Sequence, residues 1–202
     1  MPTTIEILVF TASPAFLNDI SLADPALDYL KKADGCRRIV RGYAVEEDNK
    51  AYILISWSSY ESCKNTIERQ DYSVFQESMK ALTDNPLSVL HLEFDEVADS
   101  TLDAPITEVA TISPKQGHTL EEVTAVMRKM HGLTPQFPGA MYGLSIGQFI
   151  GQPIPEYILC FAGWASIEAH TRSTKMSSFQ ELIWEIVPIA DIKMNHVEFK
   201  SH

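Results

Sequence analysis

Two histidines, one tyrosine and a group of aromatic residues are the parts of this sequence best suited to chemistry. His131 ends a helical apolar stripe, four residues after Met127, and His170 stands three residues after Ile167. Imidazole titrates near neutral pH, so two such rings beside the Tyr142 phenol would move a proton onto or off a phenol or enol. The strand that carries Tyr142 has Gly143, Ser145 and Gly147 on its other face, where a packed strand would carry branched residues. Glycine inside a strand marks a bulge or a close approach by a ligand or another backbone. Ser145 with the rings of Trp164, Phe149 and Phe161 would line such a pocket and exclude water from it. Earlier in the chain Tyr72 shares a helical face with Phe75 and Met79, either as a pocket phenol or as a core tyrosine whose hydroxyl reaches the surface. The histidines also have an ordinary reading, as solvated residues or helix-end dipole partners.

His91-x-Glu93 and His196-x-Glu198 place a histidine and a carboxylate on one strand face, and such ligands suit zinc or iron. Period-two alternation accounts for the same strands without metal, with polar residues outside and Leu92, Phe94, Val197 and Phe199 inside, so no metal is expected. Neither GxGxxG nor a P-loop occurs, which removes the usual nicotinamide, flavin and nucleotide signatures, and no cofactor is expected.

The elements that must position these residues come in two copies. Tyr52-Ile53-Leu54 answers Tyr157-Ile158-Leu159, Trp57 answers Trp164, Phe75-Gln76-Glu77 answers Phe179-Gln180-Glu181, and His91-Leu92-Glu93-Phe94 answers His196-Val197-Glu198-Phe199, at offsets of 104 to 107 residues. Internal repeats outrank other signals when a fold is being read. Each copy reads as βαββαβ, the ferredoxin-like order. In the first, strands span 5–11, 37–46, 51–57 and 87–96. Asp24-Pro25 opens a short helix that Gly35 stops, and Ser58-x-x-Glu61 is a capping box for a long one. In the second, strands span 106–113, 140–150, 157–164 and 191–199. A helix runs from the capping box Thr119-x-x-Glu122 to His131, another covers 166–187, and 151–155 form a hairpin loop. The expected domains are 1–98 and 105–202 with a polar linker at 99–104. Each sheet has one bare apolar face, and packing the two sheets together would close an intramolecular α/β barrel.

Trp164-Ala-Ser-Ile-Glu168-Ala-His170, followed by Ser177-Ser-Phe179-Gln-Glu-Leu182, resembles the second-helix signature of the dimeric α/β-barrel superfamily, in particular the antibiotic biosynthesis monooxygenase (ABM) type domain. The first copy keeps Trp57, Glu61, Phe75 and Gln76 but has Cys63 where His170 stands. The resemblance implies that one chain builds the barrel that other members build as dimers, which leaves a further homodimer open. It also implies a pocket between sheet and helices, used in that superfamily by cofactor-free monooxygenases, cyclases, isomerases, decarboxylases and haem-degrading enzymes. The haem ligand of the last group falls on Met79 and Ile183 here, and the catalytic histidine of the plant polyketide cyclase falls on Tyr72 and Met176, so neither pattern carries over. What remains is a cofactor-independent enzyme of aromatic or polyketide-type metabolism, or a non-catalytic or stress-related barrel that binds a small molecule. The second copy is the expected site, since it holds both His131 and His170.

Composition is that of an ordinary soluble globular chain. The 202 residues include 16 Lys plus Arg against 27 Asp plus Glu, a net charge of −11, which argues against nucleic acid or an anionic membrane as partner. Three scattered cysteines, Cys36, Cys63 and Cys160, and the lack of a basic, apolar leader point to a reducing, cytoplasmic setting.

Overall fold

The computed structural model describes residues 3–94, 99–151 and 155–202. It divides into two compact units, Met1–Glu93 with Lys200–His202, and Phe94–Phe199. The first runs β1 (Thr3–Thr11), α1 (Pro14–Asn18), a 3-10 turn (Ile20–Ala23), α2 (Asp24–Lys31), β2 (Cys36–Tyr43), β3 (Lys50–Trp57), α3 (Tyr60–Ile67), α4 (Tyr72–Met79) and β4 (Ser88–Phe94). Its strand order is β4-β1-β3-β2, with β3 antiparallel to both β1 and β2. That is the ferredoxin-like order expected from the repeat. Alternation puts Glu6, Leu8 and Phe10 of β1 on one face, where Leu8 and Phe10 share a core with Leu27 and Leu30 of α2 and with Phe75 and Met79 of α4.

The second unit runs α5 (Asp99–Leu102), β5 (Ile106–Pro114), α6 (Leu120–Leu133), β6 (Met141–Phe149), β7 (Ile158–Trp164), α7 (Ile167–Ser173), α8 (Ser177–Ile186) and β8 (Ala190–Val197). The order β8-β5-β7-β6, antiparallel throughout, repeats the first unit. A two-residue strand, β9 (Lys200–Ser201), pairs with β2. Thr119 caps α6 reciprocally with Glu122, as its sequence requires, and Val123, Val126, Met127 and Met130 face the sheet beside Phe179, Leu182 and Ile186 of α8. No described helix is long and apolar enough to cross a membrane.

Several local expectations shift. The first-copy cap is Ser59, which accepts from the Ser62 amide at 3.2 Å, one residue past the expected Ser58. Each long helix after β3 and β7 is two short ones. Between α3 and α4 the break is held by Asp71, which accepts from the Tyr29 hydroxyl at 2.8 Å and from the Arg69 guanidinium at 3.0 and 2.9 Å. At the end of α7, Thr171, Ser173 and Thr174 each donate a hydroxyl back to a carbonyl of their own turn, a competitor to the helical ladder. Of the segment expected to be linker, Asp99–Leu102 forms α5, and the polar residues just before it, 95–98, lie outside the described residues, as do 152–154 of the hairpin loop.

α5 explains a small residue in the sheet. A Cβ on Gly163 would stand 2.9 Å from the Thr101 Cα and from the Ala104 Cβ, so the backbone of α5 lies directly on β7 at this point. Gly143 is its cross-strand partner. The close approach that strand glycines announce is therefore by backbone here. Gly163→Ala should lower stability by about 1–3 kcal/mol through overpacking, read as a fall in the urea midpoint; an unchanged midpoint would show that the contact relaxes freely.

Candidate functional site

A cleft of about 580 Å³ opens in the second unit between α6 and β6. Leu120, Leu144, Ile146, Phe149 and Ile158 form its apolar wall, and Thr124, Arg128, His131 and Tyr157 bring polar atoms to it. α6 supplies Leu120, Thr124, Arg128 and His131 at spacings of four, four and three, so the helical period alone aligns them along one edge. Phe149 and Tyr157 meet edge to face at 5.1 Å across the β6–β7 hairpin.

His131 Nδ1 lies 2.6 Å from the Leu144 carbonyl oxygen. A carbonyl oxygen only accepts, so Nδ1 carries the hydrogen and Nε2 is left as the acceptor. Arg128, one turn before it on the cleft edge, has no hydrogen-bond or ion-pair partner among the described residues. The neighbouring Lys129 is engaged by Glu185. In a chain of net charge −11 the free guanidinium at an apolar wall is suited to an anion.

The structure separates residues that the sequence suggested would meet. His131, Ser145 and Phe149 border the cleft. His170 does not: it is buried against Trp164, the rings stacked at 4.5 Å, with Nδ1 2.9 Å from His196 Nε2 and Nε2 3.6 Å from Glu108 Oε2. Trp164 is likewise a core residue and donates its indole N–H to Glu108 Oε2 at 3.0 Å. Phe161 lies in register with Ser145, while Ile146 and Leu144 pair with Cys160 and Ala162 in the helix-facing core. Phe161 therefore faces away from the helices and stacks on Phe94 at 5.2 Å, and Gly143, Ser145 and Gly147 share that opposite face. Tyr142 is 45% exposed. The register shift between Met141 and Gly143 leaves it as the extra residue of a bulge, which turns it to solvent. Tyr72 stays in the first unit, its ring 5.2 Å from Phe75 and 6.4 Å from Tyr29, and burial, reinforced by Glu6, pushes its phenol above the usual range.

Glu108 was not singled out by sequence, nor was its counterpart Glu6. Trp57 donates to Glu6 Oε2 at 3.0 Å, the distance Trp164 keeps to Glu108. Around each carboxylate stand the fourth residue of α3 or α7 and the histidine of the closing strand: Cys63 and His91 in the first unit, His170 and His196 in the second. His196 faces Glu108 directly across β5–β8, so the closing-strand histidines point inward, against the alternation that placed them outside. The signal was available. Glu6-x-Leu8-x-Phe10 and Ile106-x-Glu108-x-Ala110-x-Ile112 both set a carboxylate in an otherwise apolar inward stripe, and a buried carboxylate must have partners.

Over its whole length the chain is similar in structure to two candidate monooxygenases. One, from Lactobacillus acidophilus NCFM, has a TM-score of 0.70 at 15% identity over 100% of this chain and 96% of that one. The other, from Fusobacterium nucleatum subsp. nucleatum ATCC 25586, has a TM-score of 0.72 at 13% identity over 100% and 94%. An anthrone oxidase-like protein is similar as well, with a TM-score of 0.69 at 11% identity over 99% and 93%. No family model matches the sequence, and no curated protein does. Likeness at such identities is likeness of fold. In fold, then, the chain is a tandem of two ferredoxin-like units, as the internal repeat led one to expect.

Proposed function

We propose that the cleft between α6 and β6 is the site of a cofactor-independent enzyme of small-molecule metabolism, acting on a phenol or enol of aromatic or polyketide type. The observation that carries this reading is the tautomer of His131: the Leu144 carbonyl holds Nδ1–H at 2.6 Å, leaving Nε2 as a base at an apolar cleft. Proton transfer to Nε2 leaves a phenolate or enolate on the substrate. The unpaired Arg128 guanidinium, one helical turn away, stabilises that negative charge, and the apolar wall limits competing water.

The full-length likeness to candidate monooxygenases supports oxygenation over cyclisation, isomerisation or decarboxylation. In such a step the substrate carbanion supplies the electrons. A ring CH2 oxidised to C=O consumes one dioxygen, one atom entering the product and the other leaving as water.

The test is oxygen consumption with anthrone as probe, without added flavin or haem. The wild-type chain should turn over, and Arg128→Ala should raise KM by roughly 10–100-fold, the loss of one charge-assisted hydrogen bond to an anion. Saturable binding of the probe with no oxygen uptake would favour a binding protein over an enzyme.

A further inference from the structure

We propose that Glu6, Cys63 and His91 of the first unit bind a divalent cation of the zinc class. The three donors come from β1, α3 and β4 and lie within 4.8 Å of one another. Cys63 Sγ is 3.5 Å from Glu6 Oε2, and His91 Nε2 is 3.8 Å from Glu6 Oε1. Metal–ligand bonds of 2.0 to 2.3 Å at tetrahedral angles put neighbouring donors roughly 3.3–3.6 Å apart; the Cys63–Glu6 separation, which without an ion is an S–H···O hydrogen bond, falls in that range, and the His91–Glu6 separation, too long for a hydrogen bond, lies just beyond it. His91 Nε2 is buried and has no hydrogen-bond partner, while its ring is held edge-on by Tyr60 at 5.3 Å. A buried nitrogen left in that state calls for a partner.

Charge points the same way. Glu6 is buried, and its hydrogen-bond donors are the Trp57 N–H and the Cys63 S–H. A divalent ion held by one carboxylate and one thiolate forms a neutral buried cluster. On binding, a sulfur–metal bond forms, the thiol proton leaves to solvent, and nothing is oxidised. The Trp57 indole fixes the carboxylate from outside, as partners of metal ligands commonly do.

The second unit serves as the internal contrast. At the position of Cys63 it has His170, whose two ring nitrogens reach His196 and Glu108, so the same arrangement closes on protein groups alone. Cysteine is too short to make that bridge, and it is in the cysteine-bearing copy that the closing-strand histidine is left without a partner.

The experiment uses the full chain, stripped with chelator under reducing conditions and titrated with Co2+ as a spectroscopic stand-in for zinc. One equivalent should bind with a near-ultraviolet thiolate-to-cobalt absorption, and zinc should displace it. Cys63→Ser should abolish that absorption, whereas Cys36→Ser and Cys160→Ser should retain it. His91→Gln should weaken Co2+ binding at least about tenfold, and this variant decides the matter if Cys63→Ser does not fold. The proposal is overturned if no thiolate band appears at saturating Co2+, if the band follows Cys36, or if cobalt binds without a thiolate band and is lost in His170→Ala.

Discussion

His131→Ala is expected to lower kcat by about 10²–10⁴-fold, the range a positioned acid/base group contributes, with the far-ultraviolet circular dichroism and urea midpoint of the parent. The ring is solvent-exposed on one side and buried only where Nδ1 meets Leu144, so its removal leaves no core cavity. Its loss takes away the one group at the cleft whose hydrogen bonding fixes a free basic nitrogen. His170→Ala should behave in the opposite way. That ring fills the space under Trp164 and satisfies both His196 and Glu108, so its loss should destabilise the second unit first and leave KM for the probe near its original value. Wild-type kcat in His131→Ala, together with a collapse of turnover in a folded His170→Ala, would move the chemistry to the buried Glu108 cluster.

The second large effect is on stability. Trp164→Phe should cost roughly 2–3 kcal/mol, because it keeps most of the ring but strips a buried carboxylate of its N–H donor. The phenyl can still stack on His170, so packing loss is the smaller part. Trp184→Phe is the control: that tryptophan is 68% exposed and should change stability by less than about 0.5 kcal/mol. Combining Trp164→Phe with Glu108→Leu should recover part of the loss, since removing both partners of a buried polar contact costs less than orphaning one. A Trp164→Phe chain with the parent urea midpoint would show that Glu108 finds another donor at no cost.

Legibility in the sequence followed the range of the interaction. Helical and strand periods, the Thr119 capping box and the duplicated Tyr-Ile-Leu, Trp and Phe-Gln-Glu motifs are local or repeated, and they gave the βαββαβ order of both units. Of the cleft edge formed by Leu120, Thr124, Arg128 and His131, Leu120 and His131 were singled out from the sequence, whereas Thr124 and Arg128 lie off the apolar stripe and show their place only once α6 is set against β6. The bulge at Tyr142 was not visible, since a one-residue insertion in the ladder has no composition of its own, yet it sends a residue meant for the pocket out to solvent. Ser58 was the expected cap because Glu61 stands three residues after it, and the backbone path gave the role to its neighbour Ser59 instead.

What the sequence determined by itself was the duplicated ferredoxin-like plan and the set of side chains available for chemistry, because periodicity and repetition are written along the chain. What the tertiary structure decided was which of those side chains meet. Glu108, His170 and His196 are separated by tens of residues and are joined only when β5, α7 and β8 pack, which takes His170 away from His131. Pairing across strands depends on register, and a buried carboxylate selects its donors from whatever the fold brings within hydrogen-bond reach. Neither is encoded in any one segment.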